Sequence, residues 1–346
     1  MGLWGFFVLI MQNPVSTSSS SLSSILTYSL FALVATFVTF FYLPGYSSET
    51  LLSFLLLSPF FAAAVLILFS SATSTFQYGL GLLLSLPPLV LTLLLLSSLS
   101  VGTPLGVPGL DAVFTFPLVP SLGLSFRFGV DGLSLPFLLL TTAFQPLCLL
   151  SLSSGTPRLL SALVALFLLE GGVLATFAAL DLLPFFLFFE RTLIPIYFLV
   201  LIWGSRERRV RASYRISLYT LFGSIFRFLN LLYLRAKVGT TDFLALLDLT
   251  LSVADQRFLW ITFFLAFAAK VPLFPLHIWL PEAHVEAPTV GSVLLAVLLL
   301  KLGTYGLVRF SLPLFQKVLF TLPLLFPCLL LEVSFTLVLQ QDAKLT

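Results

Sequence analysis

The sequence has little charge. Asp, Glu, Lys and Arg make up 9% of 346 residues, 59% are hydrophobic and mean hydropathy is +1.12; a soluble domain carries about 25% charged residues. A chain this poor in charge cannot cover a water-facing surface, which excludes a soluble globular domain. Cysteine is also scarce. Cys148 and Cys328 stand alone in apolar runs, without the spacing of a metal or redox motif, and read as small buried residues. The net charge of +3 is too small and dispersed for a nucleic-acid surface. The first charged residue is Glu49, whereas a transit peptide is rich in arginine, so no removable targeting peptide is expected.

What the chain does have is long apolar runs, filled by leucine and 38 phenylalanines. A hydrocarbon core about 30 Å thick takes about 20 helical residues. Ten runs meet that length: 23–43, 50–71, 79–101, 133–153, 158–180, 182–203, 213–236, 258–280, 288–312 and 316–340. They lack the alternating polar residues of a barrel, so helices are predicted. The expected fold is an all-α polytopic membrane protein of about ten transmembrane helices, with no soluble domain. Residues 1–11 are too short to span and are assigned to the interface; STSSSSLSS (16–24) reads as a loop. One connector is long. In residues 102–132 the alternation of LSFRF predicts a short extended segment outside the bilayer.

GSRERRVRASYR (204–215) holds five arginines and one glutamate. By the positive-inside rule it faces the cytoplasm, or the matrix of a mitochondrion. Strict alternation puts 237–257 on the opposite side, in agreement with Asp242, Asp248 and Asp255. It returns the acidic segment 281–287 to the arginine side, a mild conflict that the stronger arginine signal decides.

An ionisable group near the bilayer centre costs a few kcal/mol or more. Glu170, Glu190, Arg191, Arg227, Lys270, Lys301 and Glu332 all lie in apolar runs, and Glu190, Lys270 and Lys301 lie deepest. Such groups either fix helix packing as ion pairs, Glu190 with Arg191 or a lysine, or pass protons along water wires. Three deep charges of both signs favour a relay. Arg227 either snorkels or pairs with Glu190 or Glu170.

Residues 262–287 read TFFLAFAAKVPLFPLHIWLPEAHVEA. Pro272 and Pro275 remove the backbone bonds to residues 268 and 271, which breaks the helix beside Lys270. A cation near the C-terminus of a half-helix is stabilised by the dipole, and transporters place interrupted helices at the membrane midplane. His277 follows the break and reads either as a packing residue or as a proton carrier. His284, among Glu282 and Glu286, reads as structural and near the surface.

AFAAKVPLFPLHIWLPEAHVEAPTVGSVLLAVLLLKLGTYGLVRFSLPLF (266–315) resembles the subunit 4 family of mitochondrial NADH–ubiquinone oxidoreductase, respiratory complex I. FGVDGLSLPFLLLTT (128–142), residues 181–224 and QQDAK (340–344) are similar to that family as well. The resemblance implies an antiporter-like subunit that translocates protons, driven by quinone reduction elsewhere in the complex. It implies a relay of Glu190, Lys270, Lys301 and His277. It implies no cofactor in this chain: no flavin, iron–sulfur cluster or quinone site. The implied partners are other membrane-arm subunits, antiporter-like subunits 2 and 5 among them, and membrane lipids; the implied location is the mitochondrial inner membrane.

The same resemblance suggests four regions: a 1–49 extension with an extra helix; peripheral helices and a connector over 50–157; a first five-helix antiporter-like repeat with a discontinuous helix over 158–312; and 313–346. The family continues past the QxDxK segment with about five more helices, so a fragment or a split subunit completed by a second polypeptide is expected. Two other readings stay open: a subunit of a multi-subunit sodium/proton antiporter, and a non-conducting structural part of the membrane arm.

Overall fold

The computed structural model describes residues 47–100, 112–119, 124–204, 207–247, 251–273 and 276–314. The runs at 23–43 and 316–340, the interfacial 1–11, Pro275, Cys328 and Glu332 lie outside the described residues. Among those described, six helices are long and apolar enough to cross a membrane: Ser48–Leu68, Ser74–Ser98, Leu159–Ala178, Leu182–Trp203, Arg209–Val238 and Thr289–Ser311. Each answers a predicted run. In chain order the elements are α1 (Ser48–Leu68), α2 (Ser74–Leu84), α3 (Leu86–Ser100), β1 (Ala112–Val119), β2 (Leu124–Val130), α4 (Ser134–Leu150) and α5 (Leu159–Ala178). Then come α6 (Leu182–Arg191), α7 (Leu193–Trp203), α8 (Arg209–Val238), α9 (Phe243–Leu247), α10 (Val253–Ala268) and α11 (Trp279–Glu286). The last span runs through α12 (Thr289–Leu294), a π segment Leu295–Leu299, α13 (Leu300–Gly306) and a second π segment Leu307–Ser311.

Two predicted runs differ. α4 has 17 residues, shorter than the run at 133–153. The run at 258–280 is two helices: α10 stops at Ala268, turns follow, and α11 starts at Trp279. α5 is the most enclosed span, buried from Leu169 to Ala178 without interruption. The outer faces of α1 and α8 carry bare aliphatic and aromatic side chains, Phe61 and Leu218 among the most exposed, as lipid-facing surfaces do.

The extended segment is real and is half of a hairpin. β1 pairs antiparallel with β2, Phe114 opposite Phe128 and Phe116 opposite Phe126, with an irregularity between Pro117 and Val119. The hairpin is tied to the α5–α6 junction: Leu180 N–H donates to the Arg127 carbonyl at 2.9 Å. That junction is tied in turn to the segment after α8, through Leu182 N–H to Thr241 O (3.1 Å) and Phe243 N–H to Leu180 O (3.3 Å). α8 ends at Gly239, whose φ of 81° is the left-handed cap that glycine adopts without penalty. Arg309 at the end of the last span pairs with Asp131. Asp131 also exchanges 2.9 Å bonds with Ser134, backbone to side chain in both directions, at the start of α4. The hairpin, 179–182, 241–243 and the end of the last span therefore share one face.

The opposite face carries the arginine loop. Arg215 pairs with Glu282, and a cavity of about 560 Å³ there is lined by Arg208, Arg211, Glu282 and Glu286 among others. The acidic segment 281–287 thus sits beside the arginines and is neutralised by them, so the apparent conflict in the sequence disappears. His284 is half-buried and Glu286 buried, deeper than expected for a surface segment.

Candidate functional site

Glu190, Arg227 and Lys270 come together in the interior. Glu190 stands near the end of α6, and its carboxylate accepts from the Arg227 guanidinium of α8. Phe189, the preceding residue, is fully buried. One cation faces its ring from each of two other elements: Arg227 Cζ lies 3.7 Å and Lys270 Nζ 4.3 Å from the ring centre. The ring thus joins the three charges. With Lys270 protonated the cluster carries a net +1, and with Lys270 neutral it carries zero. Arginine keeps its charge throughout the accessible pH range, so lysine is the cation here that can exchange a proton.

Close backbone approach makes this geometry. On α8, a Cβ on Gly223 would lie 2.8 Å from the Ala266 carbonyl and 2.9 Å from Ala269 Cβ. The missing side chain lets α8 settle on α10, one turn before Arg227. On α13, a Cβ on Gly303 would lie 3.3 Å from Lys270 Cβ and overlap Val271, and one on Gly306 would overlap the Phe267 ring. The LGTYG glycines are therefore the seat of the broken segment.

The break satisfies its own backbone. Leu273 N–H donates to the Ala268 carbonyl at 2.9 Å, and the Trp279 indole N–H donates to the Ala269 carbonyl at 3.0 Å. The Ala268 carbonyl, which Pro272 leaves without its helical donor, is thus engaged, as is that of Ala269. The Lys270 ammonium is buried and has no hydrogen-bond partner among the described residues; Glu190 Oε2 and Arg227 Nε and Nη1 also have spare capacity. A small cavity, about 10 Å³, adjoins Arg227 between Phe185, Phe186 and Phe263, close to the space one water needs. Together these atoms offer donors and acceptors for a short water chain.

The other predicted residues sit apart. His277 is half-buried on the turn between α10 and α11. Lys301 is exposed on α13, between the two π segments. It lies two residues before Gly303, about 200° round the helix, so it faces away from Lys270. Glu170 is buried on α5 and neither carboxylate oxygen has a partner among the described residues. Sequence reasoning left three choices for Arg227, and the structure selects Glu190. It missed Phe189, Trp279 and the glycine seat. The FFER string and the three-residue glycine spacing are the signals that point to them.

At the hairpin face a second acidic group gathers outside the spans. Arg127 pairs with Asp242, and Thr241 Oγ1 donates to Asp181 at 3.4 Å. Burial pushes the Asp181 carboxyl up to about 6; the Asp242 charge adds to this, and Arg127 opposes it. Burial also raises Asp131, but the Arg309 charge and hydrogen bond, with two Ser134 bonds, outweigh it and hold that carboxyl below its usual value.

The broken segment with its buried Lys270, and Glu190 on a neighbouring span, therefore lie inside a multi-pass membrane protein. Residues 179–337 match the family described as NADH:quinone oxidoreductase/Mrp antiporter, TM. More particularly, the chain is 45% identical over 226 residues to NADH-ubiquinone oxidoreductase chain 4 of Marchantia polymorpha, across 65% of this chain and 46% of that protein. It is 41% identical over 293 residues to the chain 4 of Chondrus crispus, across 83% and 59% respectively. Its fold matches a chain of respiratory complex I from Thermus thermophilus with a TM-score of 0.67 and 33% identity, over 78% of this chain and 55% of that one. The chain spans about half the length of the curated relatives it matches.

Proposed function

We propose that this chain is a proton-translocating, antiporter-like subunit in the membrane arm of respiratory complex I, placed in the mitochondrial inner membrane. It works with the other membrane-arm subunits, antiporter-like subunits 2 and 5 among them, and with whichever polypeptide carries the remainder of the relatives' length. NADH:ubiquinone electron transfer elsewhere in the complex drives it. The observation that carries this reading is the Lys270 ammonium, buried without a hydrogen-bond partner among the described residues and joined through Phe189 to the Glu190–Arg227 pair.

In this reading Lys270 holds and releases the proton. Glu190 stabilises its charged form when it turns from Arg227 toward it, and the spare polar atoms of the cluster bind the connecting water. His277 exchanges protons beyond the break. Lys301 passes them laterally, away from Lys270. Residues 158–312 are the first of two five-helix repeats. The test is proton output per electron in proteoliposomes holding the assembled complex. Lys270→Met is expected to lower that ratio well below wild type, and an unchanged ratio would overturn the reading.

The family description also covers Mrp antiporters, which supports a second reading as a sodium/proton antiporter subunit. Sodium-dependent proton flux from a complex lacking NADH dehydrogenase subunits would select it.

A further inference from the structure

Arg191 is exposed near the middle of the 22-residue span Leu182–Trp203. At 1.5 Å per residue the span ends lie roughly 13 and 18 Å away, farther than an arginine side chain extends, so the guanidinium cannot reach water at either end. Among the described residues its one cation–π contact is Phe60, whose ring centre is 5.0 Å from Cζ. Phe60 is held in place because Gly171 has no side chain; a Cβ there would lie 2.8 Å from the ring. Among the described residues no carboxylate pairs with Arg191. A ring face compensates a cation only in part, and hydrocarbon does not compensate it at all.

Around Arg191 the same face carries Leu187, Ile194 and Phe198, all exposed. Their offsets of −4, +3 and +7 make one continuous helical stripe. The stripe is apolar except at its centre. A lipid phosphate lies at the membrane surface, too far from this depth, and a water-soluble partner cannot enter it. What fits is another helix that buries the stripe and brings an anion to its centre, where a carboxylate and a guanidinium bond bidentately.

We propose that the Leu187–Arg191–Ile194–Phe198 face docks a membrane-spanning helix of a neighbouring subunit, one that carries an aspartate or glutamate at mid-membrane depth. The inference rests on the reading that this chain is part of a membrane complex. It does not depend on proton translocation. Through Arg191 the neighbour's charge would sit beside Glu190, so the contact also couples the two subunits electrostatically.

The experiment uses the assembled complex with single substitutions Leu187→Cys and Ile194→Cys, which keep Arg191. Each is labelled with a benzophenone maleimide, irradiated, and the adducts are sequenced by mass spectrometry. The expected product joins this chain to an apolar segment of another subunit, with a carboxylate within one turn of the attachment point. Adding Arg191→Leu is expected to reduce the adduct several-fold, and Arg191→Lys to retain most of it. Adducts only to lipid, adducts to residues 316–340 of this chain (which contain Glu332), or a yield indifferent to Arg191→Leu would each overturn the proposal. Crosslinking needs neither electron transfer nor proton flux. A chain that purifies without other subunits would refute its membership of a complex, whereas a complex that yields no such adduct would refute only this surface.

Discussion

Lys270 places its ammonium 4.3 Å from the centre of the Phe189 ring, and the next residue along that helix is Glu190. The ring therefore holds both cations, Arg227 and Lys270, beside the residue that precedes Glu190. Arg227 holds Glu190 in this arrangement, which leaves the Lys270 ammonium without a hydrogen-bond partner among the described residues.

Removing Arg227 tests that arrangement. The Arg227 side chain is only 3% exposed, and losing one partner of a buried ion pair typically costs about 3–5 kcal/mol. Arg227→Met is expected to lower the thermal midpoint and the yield of assembled complex. Arg227→Met combined with Glu190→Gln is expected to recover part of that loss, because no carboxylate is then left unpaired. Thermal unfolding of the four members of this cycle measures the coupling. Additive losses would show that the pair contributes nothing to stability.

Gly303→Ala is a sharper test of position than of charge. The new methyl overlaps Val271 and presses on Lys270 Cβ and the Val271 backbone, so the broken segment must shift. Overpacking of this kind costs about 1–3 kcal/mol. All relay residues remain, yet proton output per electron is expected to fall. Thr304→Ala, at a half-buried position on the same turn, is the control expected to retain it.

The spans were readable because twenty apolar residues in a row have few other uses, and α1, α5 and α8 fall within a few residues of their predicted runs. The break was readable because Pro272 cannot donate to residue 268. What fills the break was not, since the partner of the Ala269 carbonyl is a Trp279 side chain ten residues on. Composition also hid directions. Lys301 and Gly303 are two residues apart in one string, but helix phase sends the glycine toward Lys270 and the lysine outward. Arg227 could not be assigned a partner from sequence, because the crossing of α8 against α6 and α10 selects it.

Trp279→Phe keeps one aromatic ring at this buried site and removes the indole N–H with the rest of the bicycle. The Ala269 carbonyl then loses its donor in a buried site, at a cost of about 1–3 kcal/mol. The freed oxygen lies in the residue before Lys270, where it becomes available to the ammonium or to water. The expected result is a destabilised complex with altered proton output. Hydrogen exchange at 268–273 should rise, and unchanged protection there would show that the indole bond does not hold the break closed.

The hairpin-face carboxylate gives a pH test outside the membrane. Asp181 is raised from 3.8 to about 6, chiefly by burial, so the folded state holds its proton more tightly than the unfolded chain does. A group of that sign contributes stability that is full below its unfolded value and is lost as pH rises through the folded value. Asp181→Asn keeps an acceptor for Thr241 and removes the titration. Relative to wild type, the variant is expected to gain on the order of 1–3 kcal/mol above pH 6, and to lose that advantage below about pH 4. Thermal midpoints of the solubilised complex across pH 4 to 8 measure the difference. A gain that did not vary with pH would mean that burial of the charge at Asp181 is already relieved by Arg127.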